Sequence, residues 1–86
     1  MDRNSEIVKE VADMLKQKRK EAHLTQKEVA KMVGINLTTY GQIERGKVPF
    51  LNKGATIFMK ICEVLDILPY AMFKSLISKI ENKNLS

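Results

Sequence analysis

The chain has 86 residues, 44% of them apolar and 29% charged, so it suits one small folded domain and is not a disordered segment. One cysteine excludes an internal disulfide framework and a cysteine zinc site, while four glycines and two prolines argue against a turn-rich β-sandwich or barrel. The net charge of +5 is concentrated in residues 15–53, which carry nine basic and three acidic side chains. Such a segment indicates a polyanionic partner, nucleic acid or an anionic membrane; an ordinary solvated surface is the alternative.

The sequence contains no segment that predicts export or membrane insertion. Its first six residues lack the apolar run of a signal peptide. The longest apolar stretch, Ile67–Phe73, is interrupted by Pro69 and is much shorter than the roughly 20 residues that a membrane span needs. We therefore expect a cytoplasmic protein that does not enter a membrane, and a single domain over residues 1–86. A core of this size is marginal, so an oligomer that buries more apolar surface remains an alternative to a monomer.

Apolar residues at helical spacing predict a first helix that begins at Asn4 or Ser5 and ends at about Ala22. Its acidic residues come early and its basic residues come late, which is the order that the helix dipole favours. The buried stripe of this helix is expected to contain Ile7, Val11, Leu15 and Ala22.

A capping box predicts the start of a second helix. Thr25 and Glu28 are three positions apart, so the Thr25 hydroxyl can accept from the Glu28 backbone N–H and the Glu28 carboxylate can accept from the Thr25 N–H. The helix runs to about Val33 and ends at Gly34, which permits a left-handed backbone conformation.

A third helix follows after a tight turn. Asn36 is a favourable N-cap, and the helix ends near Arg45 and Gly46. Tyr40 and Ile43 have the spacing of residues that turn towards the core. The second and third helices therefore form a closely joined pair of short helices.

The remainder of the chain predicts a loop and two further helices. Residues 47–54 form the loop, and a fourth helix runs from about Ala55 to Leu65. Pro69 suits the first turn of a fifth helix that fades near Asn82, because the missing N–H of proline costs little there. The apolar stripe of that helix is expected to contain Tyr70, Phe73, Ile77 and Ile80. Since no segment alternates apolar and polar residues as a strand does, the predicted fold is all-α with five helices.

The segment Gln26–Arg45 resembles the helix-turn-helix of the lambda-repressor-like family, also called Cro or XRE-like. Gly34 stands at the tight turn of that motif. The likeness extends back through Leu15–Arg19 and forward through Ile43–Lys47, and it covers roughly residues 7–67. It implies the compact five-helix fold of the family, with the motif at the second and third helices, and binding to double-stranded DNA. The matching motif positions include Val29, Ala30, Val33, Ile35, Tyr40 and Ile43.

The outward side chains of the third helix are the predicted base contacts, and three of them match base-contact positions of the family. Gln42 can pair bidentately with adenine, and Thr38 can serve several bases. Leu37 suits either a thymine methyl group or partial burial against the second helix. Gly41 either lets DNA approach closely or is simply tolerated on an exposed face. The predicted set is Leu37, Thr38, Gly41 and Gln42.

Contacts to the DNA backbone are expected around the same motif. The resemblance implies that Gln26, at the N-terminus of the second helix, hydrogen-bonds a phosphate. Such contacts fix the register and supply affinity but do not read the sequence. The other expected backbone contacts are Asn36, Thr39, Arg45 and Lys47.

The resemblance also implies an ion pair between Arg19 in the first helix and Glu44 at the end of the third. Such a pair would hold the third helix against the body of the domain, and two unrelated surface charges are the alternative. His23 departs from the family, which usually has glycine after the first helix. Histidine is one of the few residues that tolerate the left-handed backbone required there.

A homodimer is expected from two sets of apolar residues that have no obvious place in the core. One set lies in the predicted loop, and the other lies on the fifth helix, residues 68–82. In lambda-repressor-like dimers the interface often uses these two regions. The alternative is that the loop residues fold back onto the core and the fifth helix caps a monomer. The predicted interface residues are Phe50, Leu51, Tyr70, Phe73 and Ile77.

The sequence contains no catalytic arrangement, no glycine-rich phosphate loop and no metal-ligand spacing, so we expect neither an enzyme nor a metal or other cofactor. It predicts a sequence-specific transcriptional regulator, a repressor that occupies a two-half-site operator as a homodimer. One alternative is an antitoxin-like protein that neutralises a partner protein and autoregulates its own promoter. A more distant alternative is a coactivator that bridges other proteins and binds DNA weakly.

Overall fold

The structure, a computed structural model, describes residues 3–47 and 54–85. These residues form α-helices and no strand, so the predicted all-α fold is confirmed. The last helix continues past its predicted end at Asn82. Within this part of the chain, no helix is both long and apolar enough to span a bilayer. The helices in chain order are α1 Arg3–Glu21, α2 Gln26–Val33, α3 Leu37–Glu44, α4 Ala55–Val64 and α5 Pro69–Leu85.

The capping box at the start of α2 is present. The Thr25 hydroxyl accepts from the backbone N–H of Glu28 at 3.0 Å, and the Glu28 carboxylate accepts from the Thr25 N–H at 2.9 Å. The backbone hydrogen bond from Thr25 is the main cause that lowers the pKa of Glu28. His23 has a φ of 59°, so a histidine makes the left-handed turn between α1 and α2.

The turn between α2 and α3 is closed by local hydrogen bonds at both ends. Gly34 has a φ of 91°, and its N–H donates to the Ala30 carbonyl at 2.9 Å. Asn36 Oδ1 accepts from the Thr39 backbone N–H at 2.7 Å and caps α3. The two short helices are therefore joined with a defined geometry, as the sequence predicts.

The core receives one face of each helix. α3 packs against both α1 and α2, while α4 lies against α2 and α5 lies against α1. Burial of Tyr40 and Ile43 on the inner face of α3 leaves the opposite face of that helix at the surface. The buried apolar side chains are Val11, Ala12, Leu15, Val29, Ala30, Val33, Tyr40, Ile43, Phe58, Ile61, Cys62, Leu65, Met72 and Leu76.

The apolar stripe predicted for α5 is not the face that packs on the core. The buried positions are Met72 and Leu76, whereas Tyr70 and Ile77 are 79% and 55% exposed. Both pairs have helical spacing, so the sequence alone allows either face to be buried. Packing against α1 selects the face with Met72 and Leu76. The side chain of Ile80 lies outside the described residues.

Two further positions differ from the prediction. Phe73 is half-buried, and its ring centroid lies 5.9 Å from that of Phe58 in α4, so it belongs in part to the core. Ala22 is exposed because α1 ends at Glu21 and the chain turns away from the buried stripe. The stripe of α1 therefore ends before Ala22.

Replacing Thr25 by alanine tests the cap of α2. The variant loses the side-chain acceptor for the Glu28 N–H, so we expect the free energy of unfolding to fall by about 1 kcal/mol. Urea denaturation followed by circular dichroism measures the change. Thr25→Ser keeps the hydroxyl and is the matched control. Equal stability of the alanine and serine variants would show that the hydroxyl does not stabilise this end of α2.

Candidate nucleic-acid interface

One face of α3 is accessible because the other is buried. Tyr40 and Ile43 point into the core. At about 100° per residue, Thr38 and Gln42 lie on the opposite arc of the helix, whereas Leu37 in the first turn lies about 60° from Tyr40. Leu37 is 47% exposed, Thr38 is exposed and Gln42 is half-buried. Three of the four predicted base contacts are therefore accessible at least in part.

The end of α3 is held to α1 by a buried ion pair. Arg19 Nε donates to Glu44 Oε2 at 2.7 Å, and Arg19 Nη2 donates to Glu44 Oε1 at 3.1 Å. The two side chains are only 11% and 1% exposed, respectively. Arg19 Nη1 also donates to the Leu24 carbonyl at 2.8 Å, so the same guanidinium fixes the segment just before α2. The structure thus contains the ion pair that the family resemblance implies.

Gln26, the first residue of α2, joins the same cluster. Its Nε2 donates to Glu44 Oε1 at 3.1 Å. The Glu44 carboxylate on α3 therefore accepts hydrogen bonds from side chains on both α1 and α2. From the sequence, Gln26 is expected only as a phosphate contact. The separation of 18 residues between Gln26 and Glu44 carries no sequence signal for their pairing.

Glu44 keeps its charge in spite of burial because of its neighbours. Burial raises the pKa of Glu44, but the Arg19 hydrogen bonds, the nearby Tyr40 hydroxyl and the Gln26 hydrogen bond together outweigh burial and hold the pKa below its ordinary value. The lowered pKa means that these contacts contribute stability at neutral pH and lose it as the pH falls through that pKa.

The Tyr40 hydroxyl lies buried beside the carboxylate, although its geometry falls short of a full hydrogen bond. Burial, and then the adjacent Glu44, raise the pKa of Tyr40 far above its ordinary value. The phenol is therefore neutral at physiological pH and adds no second negative charge beside the carboxylate.

Gly41 is covered, which corrects the expectation that it points outward. It is buried, and a methyl group at this position would lie 3.2 Å from Nη1 of Arg45 and 3.5 Å from Oε1 of Gln26. The Arg45 side chain turns back along α3 and lies over the glycine. The difference arises because the ends of the Arg45 and Gln26 side chains occupy the space that a side chain at position 41 would fill.

The predicted phosphate contacts on and after α3 differ in exposure. Arg45 and Lys47 are exposed and follow the C-terminal end of α3. Thr39 is half-buried. Asn36 uses Oδ1 to cap the helix, which leaves its amide group for a phosphate. Contacts of these four residues with DNA stay predictions.

The structure divides the predicted dimer residues into three groups. Tyr70 and Ile77 are exposed on α5. Phe73 points partly into the core. Phe50 and Leu51 lie outside the described residues. Of the predicted interface, only two residues therefore form an open apolar surface within the described part of the chain.

Metal-ligating side chains do not cluster in the described part of the chain, where no group of three or more His, Cys, Asp and Glu residues could hold an ion. Cys62 is buried in the core, and burial raises the pKa of its thiol. A raised thiol pKa disfavours the reactive thiolate.

Replacing Arg19 by methionine tests the ion pair. The variant strands the buried Glu44 carboxylate, so we expect the free energy of unfolding to fall by about 3 kcal/mol. Adding Glu44→Leu removes the stranded charge, so the double variant recovers part of that loss. Chemical denaturation of both single variants and the double variant measures the coupling.

Lys18→Met is the matched control on the same helix. Lys18 pairs with Glu21 at 3.7 Å, but these side chains are 51% and 54% exposed. We expect that variant to change the stability by no more than about 0.5 kcal/mol. A double variant at Arg19 and Glu44 whose loss equals the sum of the single losses would reject the coupling.

Comparison with known proteins places this arrangement in a family. A family model for helix-turn-helix proteins of the Cro/C1 type, also called XRE-like, matches residues 15–70. The match contains α2, α3 and both partners of the Arg19–Glu44 ion pair. A search of the curated proteins found no match. Because the matched residues make up more than half of the chain, the chain belongs to the Cro/C1-type helix-turn-helix family. The members of this family are DNA-binding transcription regulators and not enzymes.

Proposed function

We propose that this protein is a sequence-specific transcriptional repressor that binds a two-half-site operator as a homodimer. The proposal rests on one observation about α3. Its buried side is fixed through the ion pair of Glu44 with Arg19, and its opposite side is accessible. A fixed helix with an accessible mixed face suits the major groove of DNA, where base edges differ in their donors, acceptors and methyl groups. Membership of a family of DNA-binding regulators supports the same ligand.

Side chains on the accessible face of α3 read the bases. Gln42 pairs bidentately with adenine, and Thr38 hydrogen-bonds a neighbouring base edge. Leu37 leaves 47% of its surface exposed, and it contacts a thymine methyl group. The combination favours half-sites that contain A·T base pairs.

Polar residues around the motif bind the sugar–phosphate backbone. The positive end of the α2 dipole lies at Gln26, and basic side chains follow the end of α3. These contacts set the register of α3 in the groove and supply affinity that falls with salt. The proposed contacts are Gln26, Asn36, Thr39, Arg45 and Lys47.

A homodimer forms through α5 in this proposal. Tyr70 and Ile77 lie two turns apart on one side of the helix and are 79% and 55% exposed. The proposed interface also includes the accessible part of Phe73, together with Phe50 and Leu51, which lie outside the described residues. A two-fold dimer presents two copies of α3 about 34 Å apart, one turn of the duplex. Occupation of both half-sites then blocks access of RNA polymerase to the promoter.

Paired alanine variants test the division between base and backbone contacts. Gln42→Ala should cost about 1–3 kcal/mol on the preferred duplex and relax the preference at one base step. Lys47→Ala should weaken binding to all duplexes about equally and lower the slope of log K against log salt by about one. Fluorescence anisotropy with a set of single-base variants of one duplex measures both effects. A uniform loss for both variants would contradict the placement of Gln42 at a base edge.

An acidic substitution on α5 tests the dimer. Ile77→Glu places a charge in the proposed interface, so we expect the variant to sediment as a monomer and to lose at least about tenfold in operator affinity, because each half-site is then bound alone. Met59→Glu is the matched control, since Met59 on α4 is 54% exposed against 55% for Ile77. A wild-type protein that stays monomeric both free and on operator DNA would rule out the homodimer.

A further inference from the structure

The side chain of Arg45 occupies an unusual position over Gly41. Arg45 is the C-cap residue of α3, and Gly41 lies four residues before it. Side chains near the end of a helix lean towards its N-terminus, over the residue four positions earlier. At most positions a Cβ atom stands there and holds such a side chain away from the helix. At Gly41 no Cβ is present, so the guanidinium lies close to the backbone of α3.

The distances show that the space over Gly41 is shaped by flexible polar groups and not by the core. A methyl group at this position would lie 3.2 Å from Nη1 of Arg45, 3.6 Å from Nη2 of Arg45 and 3.5 Å from Oε1 of Gln26. The three nearest atoms all belong to the ends of polar side chains. Replacing the glycine by alanine therefore forces Nη1 of Arg45 to shift by a few tenths of an ångström, while the other two atoms stay at ordinary contact distance.

Gln26 presents an acceptor towards the same space. Its Nε2 donates to Glu44, so the amide is oriented by the ion-pair cluster and its Oε1 faces Gly41. The bare backbone of Gly41 and the end of the Gln26 side chain therefore border the space that the Arg45 guanidinium occupies.

We propose that Gly41 is a positioning residue for DNA binding, because it seats the Arg45 guanidinium on the surface of α3 from which Arg45 contacts a backbone phosphate of duplex DNA. The inference rests on the proposed function and deepens it. A seated guanidinium approaches the phosphate from a fixed place and loses less side-chain freedom on binding than a freely rotating arginine does. Gly41 therefore acts through Arg45 and touches no base.

Glycine at this position has opposite consequences for folding and for binding. Glycine disfavours a helix interior relative to alanine. We therefore expect Gly41→Ala to raise the melting temperature of the free protein while it weakens binding to DNA. A glycine needed only for packing would show the reverse change in melting temperature.

The test is a double-variant cycle on the full chain, with anisotropy titrations of one selected duplex at several salt concentrations. Arg45→Ala should weaken binding about tenfold, the effect expected for one charge-assisted hydrogen bond, and lower the slope of log K against log salt by about 0.9, the value for one phosphate contact. Gly41→Ala should weaken binding about threefold, the loss expected when one side chain is no longer held in place before binding. The double variant should bind no more weakly than Arg45→Ala alone, because Gly41 has no effect once the guanidinium is gone.

Lys47→Ala is the control variant: adding Gly41→Ala to it should weaken binding by the same factor as adding Gly41→Ala to the wild-type protein.

Three results for Gly41→Ala would overturn the inference and leave the proposed function intact. They are binding as tight as that of the wild-type protein, a lower melting temperature than that of the wild-type protein, and an equal loss of affinity whether or not Arg45 is present. A wild-type protein that binds no duplex in preference to others overturns the proposed function and this inference with it.

Discussion

The placement of α3 depends on the carboxylate of Glu44. An isolated helix of this length has little stability in water, so its direction is set by what it contacts in the folded protein. Apolar burial of Tyr40 and Ile43 attaches one side of the helix to the core. Glu44 adds directional contacts, because it accepts from Arg19 on α1 and from Gln26 on α2. A buried carboxylate without these donors would be strongly unfavourable, so the three helices are kept in one relative arrangement.

The same cluster connects the interior with the accessible face. Arg19 is nearly buried and Gln26 is half-buried, and both hydrogen-bond to Glu44 at the end of α3. The hydrogen bond to Glu44 orients the Gln26 amide, whose Oε1 borders the same space over Gly41 as the Arg45 guanidinium. The position of the residues proposed to face DNA is thereby coupled to the fold. Under the proposed function, substitutions within the cluster change both stability and binding, while substitutions at Thr38 or Lys47 change binding alone.

Local signals made much of the fold predictable from the sequence. The capping box of α2, the left-handed Gly34 and the Asn36 cap act within a few residues, and all three are present. The face of α5 was not predictable, because that helix has apolar residues at several helical spacings and packing selects among them. The burial of Gly41 was not predicted either. It depends on the directions of the Arg45 and Gln26 side chains, and the sequence indicates these two residues only as expected DNA contacts.

Selection of bound duplexes from a random pool tests most directly whether the accessible face of α3 reads DNA sequence. We expect the full-length protein to enrich one motif that contains two inverted half-sites about 10 base pairs apart, centre to centre. Each half-site should contain A·T pairs at positions where an amide and an apolar side chain can reach the major groove. Retention of duplexes without any enriched motif would contradict sequence recognition by α3.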